Sequence, residues 1–135
     1  MILAIKTNQD PAEICLLDDA GKIIREKVWL AGRMLAKDLL AEVEELLREE
    51  LDFDAKKPFA KISGIIVFKG PGSFTGLRIG ITVANVLAYS RNIAIVGTNG
   101  ENWRKTGLAK LAGGANDKIV IPAYGAEPNI TKPKK

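Results

Sequence analysis

The sequence predicts a single α/β domain with a mixed sheet, and three observations support this class. Three short apolar runs, residues 2–6, 12–18 and 22–29, are separated by turn-forming residues, as in an antiparallel meander. Later apolar runs alternate with helical patterns, which is typical of strands that helical crossovers make parallel. The length of 135 residues and the apolar content of 47% suit one compact core. We therefore expect one domain over residues 1–122.

The later elements follow one another with distinct signals. Residues 31–51 carry leucines and a valine at helical spacing, with glutamates on the outer face. Residues 62–68 form an apolar run of the kind that is buried on both faces of a sheet. A helix is predicted over 75–90 and a short strand over 93–96. The chain is then predicted to continue with a weaker helix near 102–111, a final strand over 118–121 and a basic, flexible tail over 123–135.

Composition narrows the classes of function. The chain has no histidine, which excludes His-ligated metal sites and Ser-His or Cys-His catalysis by this chain alone. Cys15 lies in an apolar run and is expected to be a buried residue rather than a disulfide partner. The excess positive charge lies in residues 99–135 and is weak support for RNA binding. Without a recognisable leader or membrane-spanning stretch, we expect a cytoplasmic protein that needs no metal or cofactor.

The turn over residues 70–76, between a strand and a helix, has two interpretations. Backbone amides and the positive end of the helix dipole can bind a phosphate there. The spacing matches neither a P-loop, since Leu77 follows Gly76, nor the dinucleotide fingerprint. Alternatively, the glycines only make a tight turn before the helix N-cap. Local chemistry leaves both open, and the candidate anion-binding residues are Gly70, Gly72, Ser73 and Thr75, of which Ser73 or Thr75 is the N-cap.

The helix over 75–90 is apolar on nearly every side, so it must be covered on every side. Small residues recur on it every four positions, at Gly76, Gly80, Ala84 and Ala88, and form a ridge that another backbone can approach closely. The sheet covers one side, and the helix over 31–51 is the long candidate for another. We expect apolar surface to remain, and this predicts a protein partner.

Residues 70–88, GPGSFTGLRIGITVANVLA, resemble the signature of the TsaB (YeaZ) family, bacterial proteins that take part in making threonylcarbamoyladenosine in tRNA. The opening ILAI with Thr7, the stretch over 31–47 and residues 93–97 are similar to further elements of that family. The resemblance implies an actin-like, ribonuclease-H-type fold, here a single lobe with a mixed five-stranded sheet and helices that lacks the family's second lobe. It also implies a subunit without catalysis of its own, neither a peptidase nor an ATPase.

The resemblance further implies partners. The catalytic subunit TsaD is expected to pair with the helices over 31–51 and 75–90 in a four-helix bundle, and the ATPase TsaE is expected in the larger assembly. Contact with tRNA is expected to be indirect or weak, and a homodimer can form when the chain is alone. The residues expected at or near the contact with TsaD are Met34, Leu35, Asp38, Leu39, Gly76, Gly80, Ala84 and Ala88.

The chain departs from the family at the end of its first strand. There the family typically has Asp-Thr-Ser, and this chain has Lys6-Thr7-Asn8. Because that aspartate helps to place the metal in nucleotide-binding relatives, its loss argues against ATP chemistry. Lys6 needs an anionic partner, which the sequence does not identify, or a route to water. Two alternative functions stay open: a small nucleotide- or phosphate-binding protein that uses the turn over 70–76, and a self-associating scaffold.

Overall fold

The computed structural model describes residues 1–124. The predicted tail over 123–135 lies outside the described residues, apart from Ala123 and Tyr124. None of the helices within the described part is long and apolar enough to cross a membrane.

The core is a five-stranded mixed sheet with the strand order β3-β2-β1-β4-β5. The first three strands form the predicted antiparallel meander, and β4 and β5 continue the sheet in parallel to β1. All five residues of β4 are buried, as expected for a strand covered on both faces. The mixed five-stranded sheet is thus confirmed. The strands are β1 (Ile2–Lys6), β2 (Ala12–Leu17), β3 (Ile23–Trp29), β4 (Gly64–Phe68) and β5 (Ala94–Thr98).

In the described part of the chain, three α-helices accompany the sheet: α1 (Leu35–Leu47), α2 (Phe74–Arg91) and α3 (Trp103–Ala112). The prediction of one helix over 31–51 was too long at both ends. Gly32 has a φ of +51°, outside the helical region, and a single 3₁₀ turn over Gly32–Met34 precedes α1.

The helices lie on opposite faces of the sheet. On one face, Lys27 of β3 forms an ion pair with Glu42 of α1 at 2.7 Å, and the Thr7 hydroxyl after β1 donates to the Gly76 carbonyl of α2 at 2.7 Å. On the other face, the ring of Trp103 in α3 meets the ring of Phe68 edge-on. The prediction that α1 and α2 share one face is therefore confirmed.

Two residues singled out in the sequence lie on the α3 face. The Lys6 ammonium is 3.8 Å from a Glu13 carboxylate oxygen and 5.0 Å from the centre of the Phe68 ring, so Glu13 is its anionic partner. Cys15 is buried, and burial raises the pKa of its thiol. This confirms the expectation that Cys15 is a buried residue.

The predicted final strand over 118–121 is wrong, because this segment pairs with no strand of the sheet. Two side chains take its place along the outer edge of β5. The Asn116 side-chain oxygen accepts from the Ile95 amide at 3.2 Å, and an Asp117 carboxylate oxygen accepts from the Gly97 amide at 2.8 Å. The edge amides of β5 thus have acceptors, and no sixth strand forms within residues 1–124.

Residues 116–124, which we call the strap, cross from β5 to the start of α2. The Asn85 side chain of α2 holds the strap by accepting from the Val120 amide at 2.9 Å and donating to the Val120 carbonyl at 3.0 Å. The Val120 side chain is buried, whereas the isoleucines on either side of it are exposed. The strap ends where the Tyr124 ring stacks on Phe74 at 4.6 Å.

Arg91, the last residue of α2, holds the loop that precedes β4. Its guanidinium donates to the carbonyls of Phe59, Ala60 and Ile62 at 3.1, 2.8 and 3.1 Å. We expect Arg91→Lys to lower the free energy of unfolding by about 1–2 kcal/mol, because an ammonium cannot serve three carbonyls in this planar arrangement. Urea unfolding measures this loss. Arg48→Lys, at an exposed pair with Glu44, is the control and should change stability by less than about 0.5 kcal/mol. Equal effects of the two variants would contradict a stabilising role for the hydrogen bonds of Arg91.

Candidate partner interface

The glycine turn directs α2 away from the end of β4. Gly70 has a φ of +133°, and a side chain there would collide with the Ala123 carbonyl of the strap. A Cβ atom at Gly72 would meet the backbone of Asn8. The N-cap of α2 is Ser73, whose hydroxyl accepts from the Gly76 amide at 3.3 Å. The turn is therefore packed between the end of β1 and the strap.

This geometry bears on the predicted anion site. The Ser73 amide donates to the Asn8 carbonyl at 2.7 Å, and the Gly76 amide donates to Ser73, so two amides of the turn already have acceptors within the chain. Thr75 does not cap the helix, and its side chain is exposed. The observations favour a turn that positions a helix. Anion binding at the turn stays a prediction, for which titration with ATP and ADP is the test.

The ridge of small residues faces the sheet of the same chain. A Cβ atom at Gly76 would collide with the Thr7 carbonyl, and one at Gly80 would collide with the Thr7 hydroxyl. Ala84 and Ala88 are 0% and 2% exposed. The ridge therefore faces the interior of this chain, and the backbone that it lets approach closely is that of Thr7, directly after β1. Contact of the ridge residues with a partner stays a prediction.

The predicted contact residues of α1 are divided between interior and surface. Leu35 and Leu39 are buried in the core, so they can lie near a contact but not at its surface. Met34 is 45% exposed, and Asp38 is partly exposed, so both remain accessible to a partner. Ala36 of α1 is exposed as well.

A groove of about 330 Å³ runs between α1 and α2 on the side away from the sheet. We call it the helix groove. Its floor is apolar and partly buried, and its rims are exposed. Its lining residues are Ala36, Thr75, Arg78, Ile79, Thr82 and Val83.

The exposed side of α2 also has a signal in the sequence, which the small-residue pattern does not show. Arg78 and Thr82 are polar and four residues apart, and they therefore mark one face of the helix. In the structure both are exposed and line the helix groove. On a helix that is apolar nearly all round, these two polar residues identify the outer face better than the small residues do.

The described lining of the helix groove contains neither a carboxylate nor a thiol. Its lining consists of aliphatic side chains, two threonines and one arginine, a set suited to contact with another apolar surface. Among residues 1–124, no three carboxylate or thiol side chains converge in a way that could hold a metal ion. The arrangement can bind a protein surface.

Known proteins resemble the chain across the elements that build the groove. The family profile described as "TsaD: tRNA N6-adenosine threonylcarbamoyltransferase" matches residues 29–101, just over half of the chain, and these residues include α1 and α2. The TsaB protein of Bacillus subtilis, a "tRNA threonylcarbamoyladenosine biosynthesis protein", is 36% identical over 94 residues, which are 70% of this chain and 38% of that protein. The chain belongs to the TsaB (YeaZ) family.

Two further proteins are similar to this chain. The "tRNA N6-adenosine threonylcarbamoyltransferase" of Geotalea daltonii is 35% identical over 95 residues, 70% of this chain and 26% of that protein. The solved structure of YeaZ from Pseudomonas aeruginosa superposes with a TM-score of 0.62 at 27% identity, over 78% of this chain and 49% of that one. The actin-like lobe is therefore confirmed. The chain spans 26% of the length of the Geotalea daltonii protein and 38% of the length of the Bacillus subtilis protein.

Proposed function

We propose that the chain is a noncatalytic subunit of the machinery that makes threonylcarbamoyladenosine in tRNA, and that its helix groove pairs with a catalytic subunit of the TsaD type. The observation that carries the proposal is the exposed apolar groove between two helices that both lie within the family match. A surface of this kind, flanked by polar residues, is typical of a protein interface.

Similarity to both kinds of subunit supports this pairing. The chain is about as similar to a threonylcarbamoyltransferase as to a TsaB protein over the same length of sequence. A partner of the TsaD type would therefore present a related pair of helices. Two related pairs can stack about an approximate two-fold axis into a four-helix bundle, in which each pair covers the groove of the other.

The environment of Lys6 supports the noncatalytic role. Its ammonium lies between the Glu13 carboxylate and the ring of Phe68, at the end of β1. A cation held there disfavours a second, metallic cation nearby. The remaining parts of the proposal follow from the family: an ATPase of the TsaE type joins the assembly, contact with tRNA is indirect, and the assembly works in the cytoplasm. Without the partner, two copies can pair through the same groove.

The proposal predicts a stable complex with the TsaD-type subunit of the same organism. Thr82→Trp should weaken this complex by about 100-fold or more, because an indole would fill the groove that the partner helix must enter. Thermal unfolding should change little, since Thr82 is exposed. Size-exclusion chromatography and titration calorimetry measure the pairing.

The matched control is Thr106→Trp, the same change at an exposed position of α3 on the opposite face of the sheet. It should pair like the unchanged protein. If the unchanged protein forms no complex, the proposed function is wrong. If Thr106→Trp disrupts pairing and Thr82→Trp does not, the interface lies on the α3 face.

A further inference from the structure

Within residues 1–124, Arg78 is the one ionised side chain that lines the helix groove. Its guanidinium lies 5.2 Å from the centre of the Phe74 ring, which holds the side chain along the groove. No carboxylate among residues 1–124 forms an ion pair with it. Among the described residues, the positive charge of Arg78 is therefore not compensated, and it faces whatever covers the groove.

The rest of α2 gives this charge no compensation. Residues 55–100 contain six lysines and arginines and not one aspartate or glutamate. The other charged residue of α2, Arg91, is occupied by the carbonyls of the loop before β4.

Pairing two identical copies across the groove is therefore unfavourable at this position. When the α2 helices of two copies cross on a two-fold axis, the two Arg78 side chains approach each other, and α2 has no acidic residue to receive either of them. A different subunit with a related helix pair can provide a carboxylate where this chain has an arginine. Like charges that meet in one pairing and opposite charges in another are a common source of specificity.

We infer that Arg78 determines partner choice: it pairs with a carboxylate on the helix of the catalytic subunit that crosses the groove, and it disfavours self-pairing. This inference rests on the proposed function. The groove loses water when the catalytic subunit binds, and an unpaired guanidinium in a dry groove would be energetically costly. A carboxylate opposite the planar guanidinium of Arg78 removes this cost.

The test compares Arg78→Ala with Lys37→Ala, which removes the same charge from an exposed position of α1 outside the groove lining. Affinity for the TsaD-type subunit and self-association are measured by calorimetry and analytical ultracentrifugation at 50 and 500 mM salt. We expect Arg78→Ala to weaken the heteromeric complex at least about 30-fold, to reduce its dependence on salt and to strengthen self-association. Lys37→Ala should change each by less than about threefold.

The outcomes separate the inference from the proposed function. If the unchanged protein binds the catalytic subunit and Arg78→Ala binds it equally well with the same salt dependence, the inference is wrong and the proposed function stands. If Arg78→Ala weakens self-association as much as heteromeric pairing, Arg78 does not choose between partners, and the inference is also wrong. If the unchanged protein pairs only with itself, the proposed function fails too.

Discussion

Gly80→Leu should lower the free energy of unfolding by about 3 kcal/mol, even though leucine is the better helix former. The reason is the close approach of α2 to β1. Even a Cβ atom at this position would collide with the Thr7 hydroxyl and lie 3.1 Å from the Thr7 Cβ atom, and a leucine adds three further carbon atoms. Thr7 cannot move aside easily, because its hydroxyl donates to the Gly76 carbonyl.

Urea unfolding measures this effect, and the thiol of Cys15 gives a second readout because it is buried in the folded protein and should react with thiol reagents only after unfolding. Thr82→Leu, two residues along on the exposed side of the same helix, is the matched control and should change stability by less than about 0.5 kcal/mol. If Gly80→Leu left stability unchanged but abolished binding to the partner, the ridge of small residues would lie at the interface rather than against the sheet.

Leu39→Ala should cost about 3 kcal/mol of unfolding free energy, since Leu39 is 0% exposed and its loss leaves a cavity between α1 and the sheet. The neighbouring Leu40 is 41% exposed, so Leu40→Ala makes the same chemical change at the surface and should cost less than about 1 kcal/mol. Thermal and urea unfolding of both variants measure the difference. Equal losses would contradict the orientation of α1 described here.

The strands and helices of this lobe were predictable because their patterns have physical causes that act locally. The meander was visible from turn residues between apolar runs, and β4 from a run that is apolar on both faces. Parallel pairing of β4 and β5 followed from the helix that connects them. The signature over residues 70–88 then identified the family, which the comparisons confirm.

Two features were not predictable because they depend on contacts distant in sequence. The side of α2 that meets the sheet is set by Thr7, 69 residues away from the Gly76 carbonyl to which it donates, and small residues suit a sheet as well as a partner helix. The segment over 118–121 has the composition of a strand. It stays outside the sheet because Asn85 engages its backbone and Asn116 and Asp117 occupy the edge that it would need.

The covered edge of β5 also limits how copies of this protein can associate. Growth of a continuous sheet from many copies requires two open edges on each copy, so that one accepts a strand while the other offers one. In the part of the chain that the structure describes, Asn116 and Asp117 take up edge amides of β5, which leaves the edge of β3. Strand addition at β3 can therefore join two copies and then stops. A fibril built by extending this sheet would first have to release the strap.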